Sequence, residues 1–308
     1  MADQDRPLYR EYDRAALDVQ YNARATVPDI HPILKRYADD SRMARETLRC
    51  ELDVAYGEHP DETLDIFLPD RIDGRAPVLL FIHGGYWRLL SKSDSSGMAP
   101  LFTRAGAIVV AVNYSLAPAV TLDRIVDQNR RALAWVHRHI GRLGGDPARL
   151  HACGSSAGGH LVGALLAEGW HAAYGVPKQV LRGAAPMSGL FDLRPLVHTH
   201  INEWMRMSPA DAERNSPQLH LPQHGGCPLL VTYGESETDE FKRQSQDFLA
   251  AWRAAGFAGE YVAMPGSNHF DLVLSLNDPA APYTRALLSQ MGLMPPDLSS
   301  TQQQGTLS

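Results

Sequence analysis

From residue 76 onward the chain alternates two kinds of hydrophobic pattern. "PVLLFI" and "AIVVAV" are unbroken apolar runs of strand length, the pattern of parallel strands covered on both faces. "TLDRIVDQNRRALAWVHRHIG" instead spaces Leu122, Ile125, Val126, Ala132, Leu133 and Val136 with helical periodicity. "ARLHAC", "LRGAAPMSG", "CPLLVTYG" and "GEYVAMPG" read as further strands. "AGGHLVGALLAEG", "DEFKRQSQDFLAAWRAAG" and "APYTRALLSQMG" read as helices, each running out at a glycine. Ahead of these, "LRCELDVAYG" and "ETLDIFLPD" alternate apolar and polar residues and predict a hairpin at a sheet edge. The first fifty residues have no strand pattern, and "EYDRAALDVQYNAR" and "HPILKRYADDSRMARETL" read as helices.

An edge hairpin followed by alternating strands and helices predicts an α/β fold, with a mostly parallel sheet and helices on both faces. Residues 1–294 are expected to form one domain. Within it, residues 1–50 and 190–225 lack strand character and are expected to cap the strand ends with helices. The polar, aperiodic tail 295–308 is expected to be disordered.

Composition narrows the function. The chain has 308 residues and a formal net charge of -6, and it carries no basic stripe, which argues against nucleic acid as a partner. The apolar runs are too short to span a bilayer, and the charged start "MADQDRPLYREYDR" is no signal peptide. Cys50, Cys153 and Cys227 form no spacing motif and read as reduced thiols of a cytoplasmic protein. The partner expected is a small-molecule substrate. A homodimer is compatible with the chain but is not written in it.

The candidate chemistry begins in "LHACGSSAGGHL", where two serines stand side by side. Only one frame fits G-x-S-x-G, that of Gly154, Ser156 and Gly158; centred on Ser155, the glycine positions would hold Cys153 and Ala157. A nucleophile elbow is a sharp strand-to-helix turn that tolerates little bulk two residues either side of its centre. Ser156 is therefore the candidate nucleophile. A serine hydroxyl needs a base, and the base needs an orienting acid, which in this turn type follow in the order serine, acid, histidine. His269, in "MPGSNHFDL" after the last strand, is the candidate base. "VTYGESETDEF" supplies the acid: Glu237 sits mid-loop past a strand, while Asp239 is the alternative and also a candidate helix N-cap.

"FIHGGYWR" supplies the electrophile-binding part. Gly84 and Gly85 are expected to turn N–H groups inward as an oxyanion hole, joined by the N–H of Ala157, with His83 bracing the loop. Tyr86 and Trp87 are candidates for walling an aromatic group of the substrate, or equally for packing the loop onto the core. Arg88 and Lys92 are near in sequence, but no carboxylate clamp can be read from them. The H-x-H pairs His137/His139 and His198/His200 lack further ligands, so no metal site is expected, and no cofactor.

"HGGYWR", "VNYSLAPAVTLDRIVDQNRRALAWV", "CGSSAGGHL", "SGLFDLRPL", "GESETDEFKRQS" and "NHFDL" together resemble the arylformamidase (kynurenine formamidase) branch of the α/β-hydrolase superfamily, which is related to the hormone-sensitive-lipase-like esterases. The resemblance runs from about Tyr56 to Leu276. It implies a Ser156–Glu237–His269 triad, with Gly84, Gly85 and Ala157 as the hole. The activity implied is hydrolysis of an aryl formamide, such as N-formylkynurenine, or a related amide through an acyl-enzyme. A short-chain or aryl carboxylesterase is the alternative, and a binding protein without catalysis the remote one. Two positions depart from the branch: Ser155 stands where it often has histidine, and Glu237 where it often has aspartate.

Overall fold

The computed structural model describes residues 6–296, so the expected disorder of the tail falls almost wholly outside the described residues. The strands are β1 (Cys50–Ala55), β2 (Thr63–Phe67), β3 (Ala76–Ile82), β4 (Ile108–Val112), β5 (Gly145–Ser155), β6 (Leu181–Met187), β7 (Leu229–Val231) and β8 (Gly259–Tyr261). They form one sheet in the order β1-β2-β4-β3-β5-β6-β7-β8. β2 pairs antiparallel with β1 and with β4, and every other pairing is parallel. The edge hairpin followed by a parallel sheet is thus the architecture that the polarity pattern predicts.

The unbroken apolar runs have their explanation in the pleat. Along β3, Val78, Leu80 and Ile82 join the core on one face of the sheet, while Leu79 and Phe81 join the core on the other. β4 divides in the same way: Val110 and Val112 against Val109 and Ala111. The helices are α1 (Arg14–Gln20), α2 (His31–Thr47), α3 (Ala99–Arg104), α4 (Leu122–His139), α5 (Ala157–Leu166), α6 (Asn202–Met205), α7 (Pro209–Arg214), α8 (Asp239–Ala254), α9 (Asp271–Leu274) and α10 (Pro282–Gln290). α4, α5 and α8 bury Ile125, Leu161 and Phe248 in the first core, whereas α3 and α10 bury Phe102 and Leu287 in the second. α4 starts where the Thr121 side chain accepts from the Arg124 N–H, and His137, Arg138 and His139 fill its last turn, where cations suit the helix dipole.

The N-terminal segment is less helical than its pattern suggests. "EYDRAALDVQYNAR" yields only the seven residues of α1, opened by the Asp13 side chain accepting from the Ala16 N–H. The chain then turns, and the Asn22 side chain caps a short 3₁₀ turn, Ala23–Thr26. Polar side chains bonding local backbone compete with helix here. α3 has no counterpart in the sequence reading, because six residues are too few to show a period.

Strand direction places the site. Parallel strands β3, β5, β7 and β8 all release their C-terminal ends at one edge of the sheet, where ligands of open α/β sheets bind. The loops that follow carry His83–Arg88, Ser156, Glu237 and His269.

Candidate active site

Ser156 is the hinge between β5 and α5. Its φ of 58° and ψ of -118° lie where an L-residue is strained, and it is 6% exposed. The flanking glycines are required for a reason other than room for the serine side chain. A Cβ at Gly158 would run into the Ile82 carbonyl oxygen, and one at Gly154 would lie 2.6 Å from the Gly158 carbonyl oxygen and 2.9 Å from that of Ile82. The elbow is pressed against the end of β3, and that contact is what excludes bulk two residues either side of its centre.

His269 and Glu237 meet in the loops beyond β7 and β8. The His269 Nδ1 lies 2.8 Å from the Glu237 Oε2, and both residues are buried. The other Glu237 oxygen accepts from the Ser188 hydroxyl and from the Gly234 N–H. Three donors therefore converge on one carboxylate. Asp239 is exposed and opens α8 as its first residue; the N-cap is Thr238. Thus Glu237, and not Asp239, faces the imidazole. His269 is held from behind by Phe241, at 4.6 Å between ring centroids, and by a turn at Asn268. The Asn268 Oδ1 accepts the N–H groups of Phe270 and Asp271. Burial, with the Glu237 charge adding to it, raises the Asp271 carboxyl above its ordinary range.

The Gly84–Gly85 loop lies beside Ser156. Gly85 has a φ of +96°, and a side chain there would collide with the Leu89 carbonyl. Among the described residues the N–H groups of Gly84 and Gly85 donate to no acceptor. The Ala157 N–H opens α5 and has no acceptor within the helix. His83 and Tyr114 hold the loop from below: the His83 Nδ1 is 2.9 Å from the Gly84 carbonyl, and the Tyr114 hydroxyl donates to the His83 carbonyl at 2.8 Å. Their rings stack at 4.0 Å. Burial lowers the His83 imidazole to about 4.

Tyr86 and Trp87 part company. Tyr86 lines the cavity in front of Ser156 and donates its hydroxyl to the Tyr21 carbonyl. Trp87 is fully buried and lines no part of that cavity; its Nε1 donates to the His160 Nδ1 at 3.3 Å. Trp87 therefore packs the loop onto the core; both residues hold left-handed backbone, with φ of 48° and 58°, and their rings meet edge to face at 6.0 Å. Lys92 is likewise outside the cavity, bridging Asp53 and Asp65 at 2.6 Å each.

The cavity measures about 340 Å³ and is lined by Ser156, His269, Gly84 and Gly85 at its base. Its roof comes from residues the sequence did not single out: Tyr21, Arg24, Ile30, Leu34 and Tyr37 from the N-terminal segment, and Ile201 and Trp204 from the 190–225 stretch. Ser188 and Asn268 also escaped the sequence reading. The strand-ending "MSG" and the asparagine adjoining His269 were the available signals. Among the described residues no three His, Cys, Asp or Glu side chains converge as a metal site, and no helix is long and apolar enough to cross a membrane.

A strained serine, an imidazole held by a carboxylate and a donor loop at the sheet edge define the α/β-hydrolase class. A model of the alpha/beta hydrolase fold matches residues 79–272. The kynurenine formamidase of Danio rerio is 34% identical over 263 residues, which is 84% of this chain and 87% of that protein. That of Salmo salar is 33% identical over 291 residues, 92% of this chain and 96% of that protein. Among solved structures, a putative thioesterase from Silicibacter sp. TM1040 superposes with a TM-score of 0.77 at 27% identity, covering 90% of this chain and 98% of that one. The chain belongs to the α/β-hydrolase family and, within it, to the family of the kynurenine formamidases. It is a hydrolase.

Proposed function

We propose that this protein hydrolyses an aryl formamide, N-formylkynurenine or a close relative, by acyl transfer through Ser156. The observation that carries the reading is the Glu237–His269 pair set at the same cavity as the strained Ser156. His269 takes the Ser156 proton through Nε2, the ring nitrogen that Glu237 leaves free. Glu237 fixes the tautomer with its hydrogen bond to Nδ1 and offsets the charge of the imidazolium. The attacked carbonyl oxygen becomes an oxyanion against the N–H groups of Gly84, Gly85 and Ala157. The protonated His269 then gives its proton to the leaving arylamine, and a formyl-Ser156 ester remains. Water, deprotonated by His269, releases formate and restores the serine. The cycle needs no metal or organic cofactor.

The two kynurenine formamidase relatives support the formamide, and the apolar wall of Ile30, Leu34, Phe270 and Val273 suits an aromatic ring. Ser155 and Glu237 depart from the branch's common residues without removing any step. Three unpaired thiols, Cys50, Cys153 and Cys227, support a reducing, cytoplasmic setting.

The test is kcat/KM of the purified protein on N-formyl-L-kynurenine beside p-nitrophenyl acetate. A value on the formamide of about 10⁴–10⁸ M⁻¹s⁻¹ is expected. A good ester rate with negligible formamide turnover would make the protein a carboxylesterase instead.

A further inference from the structure

The helix that follows the acid loop is capped from far away in the chain. α8 opens with Thr238 as its N-cap, a residue type whose side-chain oxygen ordinarily accepts an N–H of the first helical turn. Here it makes no such bond. The Thr238 hydroxyl donates instead to the Gln20 carbonyl at 2.5 Å, and the Gln20 Oε1 accepts the Glu240 N–H at 3.1 Å. Glu240 is the second residue of the helix, so the N-terminal segment supplies the acceptor that the helix's own cap withholds. The next residue, Tyr21, ties in at two more places. Its side chain is fully buried, and its hydroxyl donates to the Glu240 Oε2 at 2.6 Å and accepts from the Gln244 Nε2 at 3.1 Å. Its carbonyl accepts the Tyr86 hydroxyl at 2.5 Å.

Gln20 and Tyr21 therefore join two loops that must stand in register for acyl transfer. Thr238 directly follows Glu237, and Glu240 lies in the same stretch; Tyr86 directly follows the Gly84–Gly85 donors. With the first turn of α8 fixed, the Glu237 side chain starts from a backbone that is tied to the donor loop. A displacement of about 1 Å in such a centre can cost roughly 10²-fold in rate. Lining the cavity explains the Tyr21 ring but not its neighbour: Gln20, Thr238 and Glu240 line no part of the cavity.

We propose that Gln20 and Tyr21 are positioning residues for the reaction: the N-terminal segment caps α8 and thereby sets Glu237, and through it His269, against the oxyanion loop. The inference rests on the assignment of Glu237 as the acid and goes beyond it, because it makes these two residues part of the catalytic alignment and not of the cavity wall alone.

The experiment uses near-isosteric variants of the full chain, Gln20→Met, Tyr21→Phe and Thr238→Val, with Thr238→Ser as the conservative partner. It reads kcat and KM on p-nitrophenyl acetate and the rate of Ser156 labelling by a fluorophosphonate, on protein whose circular dichroism and urea midpoint show it folded. In each of the three variants kcat and the labelling rate should fall together by about threefold to tenfold, the range for one hydrogen bond, with KM little changed. Thr238→Ser, which keeps the hydroxyl, should recover most of what Thr238→Val loses. The double variant Gln20→Met/Thr238→Val should lose less than the product of the single losses, because both bonds serve one joint. A raised KM with kcat and labelling unchanged would make the segment a wall only and overturn the inference, and so would equal losses in Thr238→Ser and Thr238→Val. Glu237→Gln separates the two readings. If it is inactive while Gln20→Met and Tyr21→Phe react at the wild-type rate, only the positioning role falls. If it reacts at the wild-type rate itself, the acid assignment falls and the positioning role with it.

Discussion

Glu237 reaches His269 from a different loop: its Oε2 is 2.8 Å from the imidazole Nδ1, while its Oε1 is occupied by the Ser188 hydroxyl and the Gly234 N–H. The carboxylate is thus fixed on both sides before it orients the ring. Replacing Glu237 by Gln should lower kcat by about 10³–10⁴, the scale for losing the orienting carboxylate of such a triad, with the fold retained by circular dichroism. Asp239→Asn, at an exposed position of α8, should remain within a fewfold of wild type. The reverse pattern would sink the assignment of the acid.

Ser188 is a positioning residue for that carboxylate. Ser188→Ala leaves Glu237 with one donor fewer inside the protein. We expect kcat/KM to fall about tenfold, the worth of one hydrogen bond to a charged group. The loss should appear chiefly in kcat with KM little changed, because Ser188 lies outside the cavity lining and acts through Glu237. An unchanged kcat would reduce Ser188 to a packing role.

The two adjacent serines separate by labelling. Ser156→Ala should abolish reaction with a fluorophosphonate probe. Ser155→Ala should keep substantial activity, since Ser155 is the last residue of β5 and stands beside the strained turn, not at it. Equal loss in both variants would contradict the frame in which the elbow is read.

Two glycine substitutions should fail in different ways. At Gly84 a Cβ would lie 2.8 Å from the Ser155 carbonyl oxygen and 3.3 Å from the Ser156 Cβ, so Gly84→Ala disturbs the donor loop where substrate docks. A kcat loss of about 10²–10³ is expected, as for removal of one oxyanion donor. Gly158→Ala drives a methyl into the backbone of β3 and should destabilise the fold by about 3 kcal/mol or more, beyond the usual cost of overpacking. Urea unfolding distinguishes the two: the midpoint should drop sharply for Gly158→Ala and little for Gly84→Ala.

Acid should unfold the protein through its buried histidines. Burial lowers His83, His151 and His160 to about 4, against an ordinary value of 6.5. His160 also needs its neutral form, because its Nδ1 accepts from Trp87 while its Nε2 donates to the Asn215 carbonyl. With folded values below unfolded ones, the unfolded chain binds more protons between pH 6.5 and about 4, so stability is full above that window and falls as pH drops through it. Each ring contributes on the order of 3 kcal/mol when the window is crossed in full. Urea midpoints at pH 7.5, 5.5 and 4.5 should therefore decline, and a flat series would show that the three rings titrate normally.

Legibility in the sequence followed the range of the interactions. β3 and β4 could be recognised because burial on both faces forces every position to be apolar, and α4 because one long face must be. The elbow was legible for the same local reason: Gly154 and Gly158 are dictated by a backbone contact that no other residue survives. The separation of Tyr86 from Trp87 was not legible, since it depends on His160 and Tyr21, which lie far away in the chain. The roof of the cavity was hidden for a similar reason. Tyr37 lies on the long helix α2 and Trp204 on the four-residue α6, and neither local pattern tells what cavity these side chains will cover.

That roof imposes an order on the birth of the molecule. Chains leave the ribosome N-terminus first. Yet the N-terminal segment rests on what is made last: the Tyr21 hydroxyl donates to Glu240, the Tyr37 hydroxyl to the Phe270 carbonyl, and the Asn277 side chain to Asp40 at 2.8 Å. Leu17 and Tyr21, both fully buried in the finished protein, must wait uncovered through most of translation. The nascent chain thus cannot enclose a substrate until the loop bearing His269 has emerged.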